Sequence, residues 1–318
     1  MLPAHFSRRR FLAGLGATAA GLGVAACSGP AGSAPVAAAT VTVDTLKGPV
    51  VVPAAPQRIV AVSFPEAMAL LDVGITPVGR PTYLPPLPAY AEAMKLPTID
   101  EAASPVVERV AALKPDLIIG SDFAPDSSVA AQRTMPYEQL SKLAPTLLFE
   151  WKAAAGNWPV EATQTAAAVG RSAQMDALAS RMHERAAAIR STHADVLSRT
   201  TWDLISWQPG NDWFVYSPES SHGKVLAEAG VRFGAAAGQT DNFKAWSLER
   251  FDVLARTDGV IVQMVNGANP LPGQAAYDAL PLVKAGHAYD TTWFFPAGYQ
   301  AAMLLLDDLD KALTAYSA

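Results

Sequence analysis

The chain has 318 residues, half of them hydrophobic, and a formal net charge of −5 at pH 7. That acidity, with no basic cluster beyond Arg8-Arg9-Arg10, argues against nucleic acid as a partner. The lone cysteine, Cys27, rules out an internal disulfide.

Residues 1–26 read as an export leader. Ser7, Arg8, Arg9, Arg10, Phe11 and Leu12 form a twin-arginine stretch, and an uncharged, glycine-broken apolar run follows. It ends in Val24-Ala25-Ala26-Cys27. A basic head, a short apolar middle and small residues at its end mark a cleavable signal, and paired arginines mark the Tat route. The run is too short and glycine-rich for a membrane span, which takes ~20 apolar residues. Cys27 is the expected lipid attachment point, tying the chain to the outer face of the cytoplasmic membrane; firm anchoring takes more than one acyl chain. Residues 27–39 are small and Pro/Gly/Ala-rich, as a flexible tether is.

Residues 40–158 form the expected N-terminal lobe. Thr40–Val43 and Val50–Val52 flank Lys47-Gly48-Pro49 and predict a hairpin. Arg58–Val62 is a continuous apolar strand. A helix is predicted over Phe64–Asp72, stopped by Gly74. Ile75–Gly79 reads as a strand, Pro105–Leu113 as a helix and Asp116–Gly120 as a buried strand. Tyr137–Leu143 is predicted helical and Pro145–Phe149 extended. Apolar strands alternating with helices imply an α/β layer with a largely parallel sheet.

Residues 159–199 form the expected helical spacer. A helix over Pro159–Val169 ends at Gly170, and a second runs from Ser172 to about Arg199 without proline or glycine. At 1.5 Å per residue the second would be ~40 Å long. The C-terminal lobe, residues 200–318, resumes the pattern. Strands are expected at Trp202–Trp207 and Trp213–Tyr216 around Pro209-Gly210-Asn211-Asp212, a strong turn signal. Helices follow over Ser221–Ala229 and Leu248–Leu254, strands over Gly259–Val265 and Ala288–Asp290, and a last helix over Gly298–Tyr316.

Enzyme motifs are absent. There is no Gly-x-Ser-x-Gly elbow, no Gly-rich phosphate loop and no His-Glu-x-x-His. No protein-held metal and no cofactor are expected. His183 and His193 lie on the predicted long helix as surface residues, His287 sits in a turn, and only His222 has a position from which it could approach a cleft.

The landmarks Pro56-Gln57-Arg58-Ile59-Val60, Ala69–Gly79 and Val107–Ile119, with Gly223-Lys224-Val225-Leu226 and Trp246–Phe251 later, resemble the siderophore, haem and vitamin B12 group of periplasmic binding proteins. The resemblance spans nearly all of the chain beyond the leader. It implies a class III periplasmic-binding-protein fold: α/β, with two Rossmann-like lobes joined by a single long rigid helix. It implies a monomeric solute-binding lipoprotein, not an enzyme, that hands a ferric siderophore to an ABC permease. Haem or cobalamin would be bound by the same fold; an exported enzyme or an adhesion lipoprotein is the alternative of another class. The position match implies that Glu108 and Glu249, one per lobe, dock the permease; separated carboxylates set register on a basic surface.

The ligand is expected at loops after the strand ends. The first lobe offers Ser63, Phe64, Arg80, Tyr83, Ser121 and Phe123, and the second Trp207, Trp213, Tyr216, Trp293 and Tyr299. Five of the seven tryptophans lie from Trp202 onward. Such rings suit a broad, partly apolar ligand, although Trp202 itself reads as core. Arg80 is placed to pair with ligand oxygens. Many hydroxamate binders of the family carry an arginine just before the helix that bears Glu108, where Thr98–Ala102 is acidic instead. Catecholate binders often use several cleft arginines, and no such cluster is evident.

Overall fold

The computed structural model describes residues 39–318 apart from 102, 124–134, 152–156, 209–211, 265–266, 293–294 and 318. The expected leader, the lipid attachment point Cys27 and all but the last residue of the tether therefore lie outside the described residues, as does Trp293.

Strands β1 (Thr40–Thr45) and β2 (Gly48–Pro53) form the expected antiparallel hairpin. Gly48 takes φ +95°, which a side chain would resist. Strand β3 (Ile59–Ala61) is wholly buried and leads into helix α1 (Phe64–Asp72). The helix has the predicted limits because Pro65 sets its first turn and Gly74, at φ +79°, leaves it. Residues 75–79 do not become a strand. They reach the sheet through one bridge, Val60 to Gly79, and a hydrogen bond from Val78 N to Ile59 O. Pro77 has no N–H with which to extend the ladder.

A small hairpin, β4 (Asp100–Glu101) and β5 (Ser104–Pro105), takes up the residue predicted to start the next helix. Helix α2 therefore runs over Val107–Ala112. Strand β6 (Leu117–Phe123), the short α3 (Tyr137–Leu140) and β7 (Thr146–Trp151) complete this half. Its sheet is parallel throughout, in the order β3-β6-β7.

Helix α4 (Trp158–Ala168) leads through Gly170 to α5 (Ser172–Thr192) and α6 (Ala194–Arg199). The expected uninterrupted run over 172–199 is thus two helices, broken at His193 (φ −107°, ψ 23°). His193 is buried, not on the surface, with Nε2 2.6 Å from Asp310 Oδ1. The longer piece, α5, is ~30 Å at 1.5 Å per residue.

The second half has β8 (Trp202–Gln208), β9 (Asp212–Tyr216), α7 (Ser221–Glu228), β10 (Phe243–Ser247) and β11 (Gly259–Gln263). It ends with α8 (Ala275–Asp278), α9 (Pro281–Lys284), β12 (Ala288–Thr291) and α10 (Tyr299–Ser317). Its sheet order is β10-β9-β8-β11-β12, with β8, β11 and β12 parallel and β9 and β10 antiparallel. Residues 248–254 form a 3-10 helix kinked at Arg250, not an α-helix. Gly259 is required for packing, since a Cβ there would lie 2.6 Å from the Trp202 ring.

One hydrophobic core runs through both halves, joining Ile59, Met68, Leu117 and Phe149 to Trp202, Leu204, Leu305 and Leu309 by way of Trp158, Met175 and Met182. Each sheet packs its other face on a private core: Val60, Ile118 and Leu148 in the first half, Ile205, Trp213 and Phe251 in the second. Arg185 of α5 donates to Asp307 and Asp310 of α10, so the connecting helix is strapped to the last one.

Candidate functional site

The parallel strands of both halves end near a group of aromatic side chains. Phe64 opens α1, directly after β3, and Trp151 closes β7. Tyr83 comes from the loop after Arg80. The Phe64 ring meets Tyr83 edge-on at 4.9 Å and Trp151 at 5.4 Å, and lies 6.1 Å from Phe295. Phe295, between β12 and α10, also lies 6.2 Å from Tyr83 and 6.3 Å from Tyr216 at the end of β9. These are separations at which rings attract, and they link the two halves through Phe295.

Phe295 stands at φ +48°, a sparsely populated conformation for a residue with a Cβ. Its N–H donates to His222 Nε2 at 3.1 Å, so that nitrogen is an acceptor. His222 is fully buried near the start of α7, 4.7 Å from the Tyr216 ring. It therefore does approach the site, as a support for Phe295. Burial pushes the Tyr83 phenol well above its usual pKa, with Tyr216 adding to the shift, and burial also raises Tyr216. Both stay neutral at physiological pH.

Several expected contact residues face inward instead. Ser63 Oγ accepts from Ser121 N at 2.9 Å and donates to Ser121 O at 3.3 Å. This stitch joins the ends of β3 and β6, and both serines are buried. Arg80 is 9% exposed; Nη1 donates to the Pro81 and Thr82 carbonyls and Nη2 to that of Met94. These bonds make it an anchor for its own loop. Trp213 is fully buried, stacked 4.5 Å from Phe251, with Nε1 donating to Ser247 O. It is core, because Phe251 and Leu254 of the following segment close over it. Trp207 is half-buried on that same core. Phe123 is half-buried opposite Trp151 in the β6–β7 register. Tyr299 is buried against Trp158 at 4.9 Å. Trp202 is core as expected, its Nε1 donating to Thr200 Oγ1.

Carboxylates gather at the same end of the first sheet. Asp122 and Glu150 are direct cross-strand neighbours on β6 and β7. On the other face, Ser121 Oγ donates to Glu66 Oε2 at 3.4 Å, and Asn157 Nδ2 to Glu161 Oε1 at 3.3 Å. Glu66 and Glu161 are buried. Burial, with Glu66 and then Glu150 nearby, pushes the Glu161 carboxyl so far up that it keeps its proton at neutral pH.

Behind the rings the halves are tied by Asp72, the last residue of α1. It accepts from the Tyr90 hydroxyl and from the backbone N–H groups of Tyr299 (2.6 Å) and Gln300 (3.4 Å) at the start of α10. Burial outweighs these hydrogen bonds and raises its pKa to about 6. Gly298 makes room, since a Cβ would sit 2.9 Å from Asp72 Oδ2.

Glu108 is exposed in the first turn of α2. Glu249 is exposed at the start of the 3-10 helix, where a hydrogen bond with Ser247 holds its carboxyl below the usual range. His183 is exposed beside Glu228. Among the described residues there is no group of three metal-ligating side chains.

Sequence reasoning did not single out Trp151, Phe295 or the Glu66–Glu161 pair. Phe295 lay inside a segment marked for the cleft, but nothing local announces a left-handed phenylalanine.

A family model described as periplasmic binding protein matches residues 59–291. The chain is 27% identical over 283 residues to the probable siderophore-binding lipoprotein YfiY of Bacillus subtilis (strain 168), covering 81% of this chain and 83% of that one. It is 25% identical over 315 residues to the putative ABC transporter substrate-binding lipoprotein YhfQ of the same organism, covering 92% and 94%. Among solved structures it is similar to the siderophore periplasmic binding protein from the fuscachelin gene cluster of Thermobifida fusca. There the TM-score is 0.71 at 26% identity, over 83% of this chain and 98% of the other.

Proposed function

The chain belongs to the periplasmic binding protein family, and on that premise we propose that it captures a ferric siderophore and delivers it to an ABC permease. The family binds solutes and is not enzymatic. The observation that carries the ligand reading is the ring group of Phe64, Tyr83, Trp151, Phe295 and Tyr216, drawn from both halves at the strand ends. A broad chelate enters by parting these rings and keeps contact with both halves. The shared core and the Asp72 tie then hold closure to a small rotation. Rings supply large contact area with little rotamer entropy to lose, so a weakly polar cleft suffices for affinity.

The protein works outside the cytoplasm as a membrane-anchored monomer, exported by its twin-arginine leader and lipidated at Cys27. The lipoprotein names of its relatives support this location. Glu108 and Glu249 dock the permease.

Tryptophan fluorescence tests the reading. Purified protein is titrated with ferric hydroxamate, catecholate and citrate complexes, haem and cobalamin, each beside its metal-free control. Saturable quenching by a ferric complex is expected, since Trp151 touches the ring group. Saturation by haem or cobalamin alone would replace the substrate, and silence from folded protein would end the reading.

A further inference from the structure

We propose that Gln263 is a ligand-binding residue: its buried side-chain oxygen accepts a hydrogen bond from an amide N–H of the incoming ferric chelate. The inference rests on the siderophore reading and adds to it a polar contact beside the rings.

Three polar residues lie side by side where the parallel strands of the second sheet finish. Ser206 and Gln263 are direct neighbours in the β8–β11 register, and Gln263 and Thr291 in the β11–β12 register. Two residues back, Leu204 and Ile261 belong to the shared core, so by strand alternation Ser206 and Gln263 face that same side of the sheet. Helix α10 packs there through Leu305 and Leu309, and Thr291 donates to its Asp308. Tyr216 of the ring group joins the row, its hydroxyl 3.2 Å from Ser206 Oγ. Phe295 follows Thr291 by only four residues. The row therefore adjoins the ring group on the side of the second half.

Ser206 and Thr291 have hydrogen-bond partners within the fold. Gln263 Oε1 has none among the described residues, although the residue is only 5% exposed. Buried acceptors are almost always paired, and an unpaired one is unfavourable. Methionine would fill nearly the same space without that penalty. The stability of the fold alone gives no reason for an amide at this point, and its place beside Tyr216 points to a partner carried by the ligand.

The chemistry of that partner follows from the atom. A side-chain amide oxygen accepts and cannot donate, so it takes an N–H or an O–H. In a ferric chelate the groups that hold the iron have lost their hydroxyl protons, which leaves amide N–H groups as the donors. Access comes with the parting of the rings that entry already requires. Phe295 stands at φ +48°, so a shift of its segment is offset in part by relief of backbone strain.

Gln263→Met keeps the length of the side chain and removes the acceptor. Calorimetry compares the purified protein and this variant with three probes. Ferric desferrioxamine B and a ferric tris-catecholamide carry amide N–H groups, and ferric citrate carries none. The variant is expected to bind whichever amide-bearing complex the unaltered chain takes ~3–10-fold more weakly, and to hold any affinity for ferric citrate within about twofold. Without ligand it should melt at the same temperature or higher, because an unpaired buried acceptor is gone. That combination separates a binding role from a structural one, in which stability would fall together with affinity. Unchanged affinity for the amide-bearing complexes would overturn the assignment and leave Oε1 to an internal water. A lower melting temperature with weaker binding of every complex would also overturn it. Binding of ferric citrate alone would remove the amide contact and leave capture of a ferric chelate standing. Failure of every ferric complex to bind would remove both.

Discussion

The two halves supply the same ring group by different routes. The first uses three parallel strands, and its contribution comes from residues just past the strand ends: Phe64, Tyr83 and Trp151. The second inserts an antiparallel pair, β9 and β10, beside its parallel strands, and Tyr216 reaches the site from that pair. The first half brings acids with its rings, and the second brings a histidine that fixes a strained backbone. The shared lesson is that strand ends choose the place, while packing further away chooses which side chains face it.

The largest expected effect separates core from cleft. Trp213→Ala empties the private core of the second half and should cost ~3–5 kcal/mol in denaturant unfolding. The folded fraction should bind ligand as before, because Trp213 faces Phe251. Loss of affinity out of proportion to unfolding would return Trp213 to the site.

A smaller effect probes the tie between the halves. The Asp72 pKa rises from 3.8 to about 6 on folding, so the folded state holds the proton more tightly than the unfolded one. The contribution of Asp72 to stability is therefore fully present below pH 4 and is lost as pH climbs through 6, by ~3 kcal/mol. Asp72→Asn should flatten that slope. A melting series from pH 3.5 to 7 reads it, and an unchanged slope would place its origin elsewhere.

The smallest effect on the isolated protein should come from Glu108→Ala combined with Glu249→Ala. Both side chains are exposed, so stability should move by no more than ~0.5 kcal/mol and ligand affinity not at all. Uptake by cells should nevertheless fall sharply; unchanged uptake would remove these residues from the docking role.

The fold was legible where local rules decide it. Pro65 and Gly74 bracket α1, and alternating strands and helices gave the α/β class. The break at His193 was not legible, because no proline or glycine marks it and the residue that holds it, Asp310, is far along the chain. Strand β10 was missed because Phe-Lys-Ala-Trp-Ser exposes most of its side chains and shows little burial pattern. The same division runs through the site. Phe64, Tyr83 and Tyr216, marked by their position after strands, do come together in the ring group. The inward packing of Arg80 and Trp213 was not legible, because Met94 and Ser247, which help hold them, are fourteen and thirty-four residues away.

Phe295 and the Asp72-bound N–H of Tyr299 are only four residues apart, a span of at most ~14 Å even if fully extended. A displacement of the Phe295 ring therefore has little slack in which to dissipate before α10. That makes the start of α10 a natural place for an optical reporter. Gln300 is half-buried there, and the only native thiol is Cys27. With that thiol removed, a solvent-sensitive dye on Gln300→Cys would turn the protein into a reagentless gauge of its own cargo.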